Sequence, residues 1–232
     1  MKIYGLQKVT LLDFPGEVAC TVFTGGCNLR CPFCHNASLV LPQERPEALD
    51  EEELFAFLRK RRGVLDGVAV SGGEPLLHPD AADFLARIRE FGYKIKLDTN
   101  GAFPERLRGI VEAGLVDRVA MDIKNSPEKY AATVGLPDLD LSPVRESAAF
   151  LMGGSLPFEF RTTVVKPLHQ PEDFEAIGVW LRGDEPYYLQ GFIDSGELLD
   201  GAGLAAWDRE SMEKFAETVR AYVPHTYLRG IE

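Results

Sequence analysis

Three of the four cysteines fall within eight residues, in the stretch Thr24-Gly-Gly-Cys-Asn-Leu-Arg-Cys-Pro-Phe-Cys-His-Asn36, spaced Cys27-x3-Cys31-x2-Cys34. Three thiolates this close, on a loop opened by two glycines, can converge on one inorganic centre. A four-iron cluster normally takes one thiolate on each iron, so three cysteines would leave one iron for a small-molecule ligand. Two other readings compete. Structural zinc would need His35 as fourth ligand, but neighbouring ligands such as Cys34 and His35 sit awkwardly around a tetrahedral ion. An electron-transfer cluster would need Cys20, which lies in an apolar run where a small buried thiol simply packs well.

Further along, Ser71-Gly-Gly-Glu-Pro75 offers glycines that let backbone approach a ligand closely, and Glu74 adds a negative charge for an amine. Read alone, it is equally an ordinary turn into a helix. Asp122 and Lys124 are two residues apart, so a strand would point both the same way. The lysine suits a carboxylate and the aspartate suits sugar hydroxyls. Asp98 opens the turn Asp98-Thr-Asn-Gly101. His78 and His169 precede helices and read as solvated or local hydrogen-bond formers. His225 lies in the tail, and no histidine is assigned catalysis.

The elements that must position these groups alternate. Val18–Thr24 is a short β-branched apolar run, the pattern of a buried strand, and it leads straight into the cysteines. After a polar, proline-bearing stretch, Asp50 caps a helix with Glu51–Glu53 in its first turn, a stripe of Leu54, Phe57 and Leu58, basic residues 60–62 and Gly63 as stop. Strands follow at 67–70, 94–98, 118–123, 158–165 and 186–192. Helices fall at 80–91, 105–113, 142–152, 171–181 and 209–222, with an excursion at 125–141 and a short strand at 226–229 in the tail. Residues 1–16 read as an extended lead-in and 223–232 as a C-terminal tail of a single domain spanning 1–232. Six β–α units in a row predict an α/β fold, either an open doubly wound sheet or an incomplete (β/α)8-type barrel. Both place function at the C-terminal ends of strands, where every polar cluster above falls.

With 232 residues the chain can bury a sizeable core, and 45% hydrophobic with 26% charged residues is ordinary for a soluble protein. A net charge of −11 argues against nucleic acid, since phosphate binding needs a basic face. The first residues lack a signal-peptide pattern and no apolar stretch approaches a membrane span, so a cytoplasmic location without membrane association is expected. Clustered cysteines there read as metal or redox groups, not disulfides.

Cys27-x3-Cys31-x2-Cys34 with Phe33 before the last cysteine, followed by Gly72-Gly-Glu-Pro75, resembles the radical S-adenosylmethionine superfamily. Cys34-His35-Asn36, Asp98-Thr-Asn-Gly101 and Asp122-x-Lys124 look like the activating enzymes of glycyl-radical proteins. Ile3-Tyr-Gly-Leu-Gln7, Leu12-Asp-Phe-Pro15 and Thr21-Val-Phe-Thr-Gly-Gly26 look most like those acting on anaerobic ribonucleoside-triphosphate reductase. The resemblance implies a partial (β/α)6 TIM-like barrel of parallel strands, with the cluster loop after the first strand. It implies a [4Fe–4S] cluster on Cys27, Cys31 and Cys34, with S-adenosylmethionine chelating the remaining iron. Gly72, Gly73 and Glu74 would meet its amino group, Lys124 its carboxylate, Asp122 and Asn36 its ribose, and backbone around Phe33 and His35 its adenine. Asp98 with Asp122 would form a monovalent-cation site. Where the family's pyruvate formate-lyase activase carries a histidine beyond a later strand, this chain reads Leu189-Gln-Gly-Phe192, which leaves the far adenine wall open. The implied partners are a glycyl-radical protein, namely anaerobic ribonucleotide reductase, and reduced flavodoxin or ferredoxin as electron donor. The alternatives are a radical enzyme acting on a small molecule and the four-cysteine electron carrier.

Overall fold

The lead-in is a full strand, β1 (Ile3–Thr10), paired antiparallel with β2 (Ala19–Thr24). The computed structural model describes residues 1–41 and 47–231. Part of the polar stretch before Asp50 (42–46) and the last residue of the tail therefore lie outside the described residues. From β2 onward every pairing is parallel: β3 (Gly67–Gly72), β4 (Lys94–Thr99), β5 (Arg118–Asp122), β6 (Phe158–Val164), β7 (Tyr187–Gly191) and β8 (Thr226–Arg229). The eight strands lie in sequence order in one sheet, the partial-barrel α/β fold expected. The cysteine loop follows β2, which is the first strand of the parallel set although second in the chain.

The helices cover the outer face. After the short α1 (Ala37–Val40), α2 (Glu51–Arg61) starts where Asp50 accepts a hydrogen bond from the Glu52 amide at 3.0 Å. It buries Leu54, Phe55 and Leu58. Phe55 takes the inward place expected for Phe57 because its ring packs against Phe84 and Phe91. Then come α3 (Ala81–Arg89), α4 (Pro104–Glu112), α5 (Tyr130–Thr133), α6 (Ser142–Met152), α7 (Pro171–Trp180) and α8 (Arg209–Arg220). In α8, Met212, Phe215, Ala216 and Val219 form the buried stripe, and Phe215 stacks on Phe174 of α7 at 4.3 Å.

Strand periodicity then sorts side chains between two environments. On β4, Ile95 and Leu97 are fully buried hydrophobics, while alternate residues Lys96 and Asp98 form an ion pair. On β6, Phe158, Phe160 and Val164 are buried, while Arg161 pairs with Asp98 and Asp122. One face of the sheet is thus the apolar core and the other carries charge. Among the described residues no helix is long and apolar enough to cross a membrane.

Candidate active site

The cysteine loop is fixed by backbone bonds from four separate segments. Gly26 N donates to Leu39 O at 2.8 Å, Glu74 N to Gly26 O at 2.8 Å, Arg30 N to Val134 O at 2.9 Å, and Asp200 N to Pro32 O at 2.9 Å. The last two come from the excursion around α5 and from the irregular stretch after β7, neither of which advertises this role in sequence. Cys27, Cys31 and Cys34 are free thiols bordering one cavity of about 400 Å3. Burial pushes the Cys27 thiol up to about 11 and Cys31 to about 12, against the pull of nearby Lys124. Cys20 is fully buried in the core and does not line that cavity, so three thiols border it, not four. Among the described residues no three His, Cys, Asp or Glu side chains converge tightly enough to hold a single ion.

Gly72 and Gly73 line the same cavity. Gly72 has φ +120°, and a Cβ there would lie 2.3 Å from Thr24 N. At Gly73 a Cβ would lie 1.9 Å from Gly26 O. Two backbones therefore run in direct contact, the turn after β3 against the start of the cysteine loop, and only glycine permits it. The Gly73 and Glu74 amides donate to Thr24 O and Gly26 O, so what this turn can offer an ammonium is carbonyl oxygen. Glu74, expected at the amine, is fully buried and does not line the cavity. Its carboxylate accepts from Leu76 N at 2.9 Å, Thr99 Oγ1 at 2.8 Å and Asn100 N at 2.7 Å. Burial pushes it up to about 7 despite those bonds. It clamps the turn after β3 to the end of β4.

Asp98, Asp122 and Lys124 all line the cavity, joined by a residue the sequence reading missed, Arg161. Lys124 Nζ lies 3.0 Å from Asp122 Oδ2, and Arg161 reaches Asp122 Oδ1 at 2.9 Å and Asp98 Oδ2 at 3.3 Å. Lys96, fully buried, pairs with Asp98 Oδ1. Burial works against ionised carboxylates, but Arg161 and then Lys124 hold Asp122 down at about 2, and Arg161 and then Lys96 hold Asp98 below its ordinary value. The monovalent cation expected between the two aspartates is not supported. Arg161 places a guanidinium there, and each of the four carboxylate oxygens already faces a cationic donor. Lys96 lies behind the wall, so along the cavity itself Lys124 and Arg161 face Asp98 and Asp122 in equal number. Lys124 Nζ meets a single carboxylate oxygen, so its ammonium can still take an anionic group. The signal that would have found Arg161 is its place at period two with Glu159 and Thr163, polar positions that alternate with Phe158, Phe160, Thr162 and Val164.

The remaining expected residues close the wall. Asn36 Nδ2 donates to Gly72 O at 3.1 Å, leaving its Oδ1 for a ligand. Phe33, His35 and Asn36 line the cavity together with Gln190 and Leu199. The His35 ring packs against Phe192 at 5.8 Å, and its Nε2 lies 2.5 Å from Ile193 O. The end of β7 at Gln190, with Phe192 and Ile193 just beyond it, thus forms the wall that the sequence left undefined. His169, expected in solvent or in a local bond, is fully buried. Its Nδ1 accepts from Val165 N at 3.1 Å and its Nε2 lies 2.8 Å from Lys124 O. It fixes the backbone that carries Lys124.

The donor set suits an iron–sulfur cluster: three free, soft thiols at one end of a cavity whose other polar groups cannot compete as soft ligands. Comparison with known proteins agrees. The model of the Radical SAM superfamily matches residues 21–167. A Methanocaldococcus jannaschii protein, provisionally named a glycyl-radical enzyme activating enzyme, is 30% identical, covering 99% of this chain and 96% of its own. The 7-carboxy-7-deazaguanine synthase of Methanopyrus kandleri is 29% identical over 84% of this chain and 83% of its own. The pyruvate formate-lyase-activating enzyme of Listeria monocytogenes is 28% identical over 78% and 76%.

Proposed function

The chain belongs to the radical S-adenosylmethionine superfamily, and from that premise we propose that it is an activase installing a glycyl radical on a partner enzyme, anaerobic ribonucleotide reductase. The observation that carries this reading is the cavity itself, with three free thiols bordering it and the strand-end charges of Asp98, Asp122, Lys124 and Arg161 along its wall.

Cys27, Cys31 and Cys34 would hold a [4Fe–4S] cluster, with S-adenosylmethionine in the rest of the cavity. Bound there, the cluster would supply the low-potential electron for reductive cleavage of S-adenosylmethionine, the source of the oxidising power that removes a hydrogen atom from substrate. Everything else falls to this chain's own residues. Lys124, held by Asp122 and by the backbone that His169 fixes, binds the methionine carboxylate, and the carbonyls of the Gly72–Gly73 turn accept from its ammonium. Asp122 and the free Oδ1 of Asn36 take the ribose hydroxyls, since each carboxylate oxygen has a second lone pair. Phe33, His35 and the segment carrying Gln190 enclose the adenine and keep water out. No side chain is needed as general acid or base. The reductant is a low-potential one-electron protein donor, flavodoxin or ferredoxin, and the protein works in the cytoplasm.

Anaerobically reconstituted protein, given S-adenosylmethionine and dithionite, is expected to release 5′-deoxyadenosine. Adding the reductase should then produce the electron paramagnetic resonance doublet of a glycyl radical. An intact cluster that forms no 5′-deoxyadenosine overturns the reading. Release without any protein radical favours the second reading, a small-molecule substrate, to which the likeness to a deazaguanine synthase lends weight.

A further inference from the structure

Asn100 follows Asp98 and Thr99 at the end of β4 and is almost fully buried. Its side chain is pinned by its oxygen: Oδ1 accepts from Ala102 N at 3.0 Å. The amide nitrogen therefore has to face the other way, toward the cysteine loop. There Nδ2 donates to Asn28 Oδ1 at 2.9 Å and lies 3.8 Å from Cys27 Sγ, within reach of a hydrogen bond to sulfur. The backbone of Asn100 is pinned as well, because its N–H donates to the buried Glu74 carboxylate. A second donor, Leu29 N, reaches the same sulfur at 3.4 Å. Among the described residues neither the Cys31 nor the Cys34 sulfur receives a comparable donor. One of the three thiols is thus singled out.

We infer that Asn100 sets the reduction potential of the cluster in this cavity, by donating from Nδ2 to the Cys27 thiolate. The inference rests on the reading of the cysteine loop as a cluster site. Reduction places one electron, delivered by a one-electron donor, on the cluster and its thiolates; no bond is made or broken. An N–H aimed at a ligating sulfur favours the more negative state and raises the potential. Because the Asn100 donor is itself almost fully buried, the effect is larger than it would be in solvent. Asn100 also stands between Cys27 and the Glu74 carboxylate, whose charge works in the opposite direction. The side chain acts through Cys27 and is a positioning and tuning residue, not a catalytic one.

The test is a redox titration of the reconstituted cluster, read by electron paramagnetic resonance of its reduced form, in wild type, Asn100→Ser and Asn100→Asp. Serine can still accept from the amide two residues on but cannot reach Cys27. Aspartate keeps the shape and the Ala102 bond while losing the donor and adding charge. Asn100→Ser is expected to make reduction about tenfold less favourable, a midpoint about 59 mV lower for one electron, and Asn100→Asp lower still. If the serine variant does not hold a cluster, Asn100→Thr, which also keeps the turn acceptor without reaching Cys27, takes its place, because the charge of aspartate lowers the midpoint by itself. Equal midpoints at equal iron content overturn the inference, even where the melting temperature falls, since that outcome marks a purely structural residue. A shifted midpoint in a protein that makes no 5′-deoxyadenosine would leave this inference standing and remove the proposed reaction. A wild-type chain that takes up no iron overturns both.

Discussion

Arg161 meets Asp122 with two nitrogens on one oxygen, Nε and Nη2 each lying 2.9 Å from Oδ1. The two residues are register partners on β5 and β6, and Asp98 is the partner of Ala120 on β5. Ala120 carries only a methyl group, so the guanidinium reaches across β5 to Asp98. One side chain from β6 therefore couples the two strand-end carboxylates that line the cavity.

Removing that guanidinium leaves two largely buried carboxylates facing each other. Arg161→Ala is expected to cost about 3 kcal/mol in urea unfolding. The acid dependence should also change. In the wild type both aspartates titrate below their unfolded value of 3.8. Their stabilisation is therefore complete above that pH and lost as pH falls toward 2. In the variant this loss should shrink or reverse, which unfolding curves at pH 3 and pH 6 would show.

Glu74→Gln keeps the size of the side chain but replaces one acceptor with a donor. Leu76 N, Thr99 Oγ1 and Asn100 N converge on the present carboxylate, so either amide orientation sets N–H against a backbone N–H. A loss of about 1–3 kcal/mol is expected, together with weaker cluster retention after desalting. Unchanged stability would mean that the clamp contributes little.

His169 is neutral in the fold, since its Nδ1 accepts from Val165 N. Burial holds its pKa below the ordinary 6.5. For a group whose folded value is depressed, stabilisation is present above the unfolded pKa and is lost as pH drops through the folded one. Between pH 7 and 5 the wild type should therefore lose stability relative to His169→Asn, by at most about 1.4 kcal/mol per pH unit. Parallel stability–pH curves would contradict this.

Gly73→Ala has no room, because the new methyl would meet a backbone carbonyl and not a flexible side chain. The Glu74 N to Gly26 O bond that anchors the cysteine loop should break, and iron uptake on reconstitution should fall severalfold or more. Gly109→Ala, where a Cβ meets nothing within 4 Å, is the control and should take up iron as the wild type does.

The cysteines divide three to one. Substituting alanine for Cys27, Cys31 or Cys34 should abolish cluster binding, whereas Cys20→Ala should keep it at a modest cost in packing. Iron and sulfide content per chain is the measurement. Loss of the cluster in Cys20→Ala would revive a four-thiolate centre.

Much of this protein can be read in one dimension. The spacing of Cys27, Cys31 and Cys34 places three thiols on one loop whatever the fold, and the β-branched runs between capped helices give the alternating strand and helix order with its strand-end polar groups. These are local properties, carried by neighbours in the chain. The rest depended on which strands lie side by side and which way their side chains turn. Residues 1–16 read as a lead-in because a strand needs a partner to be one, and its partner lies across a turn. Glu74 carries the same charge at a cavity or behind a turn; only the packing of Thr99 and Asn100 against it decides which. Arg161 lies 63 residues from Asp98, and the register of β4, β5 and β6 brings them together because Ala120 leaves the space between them open.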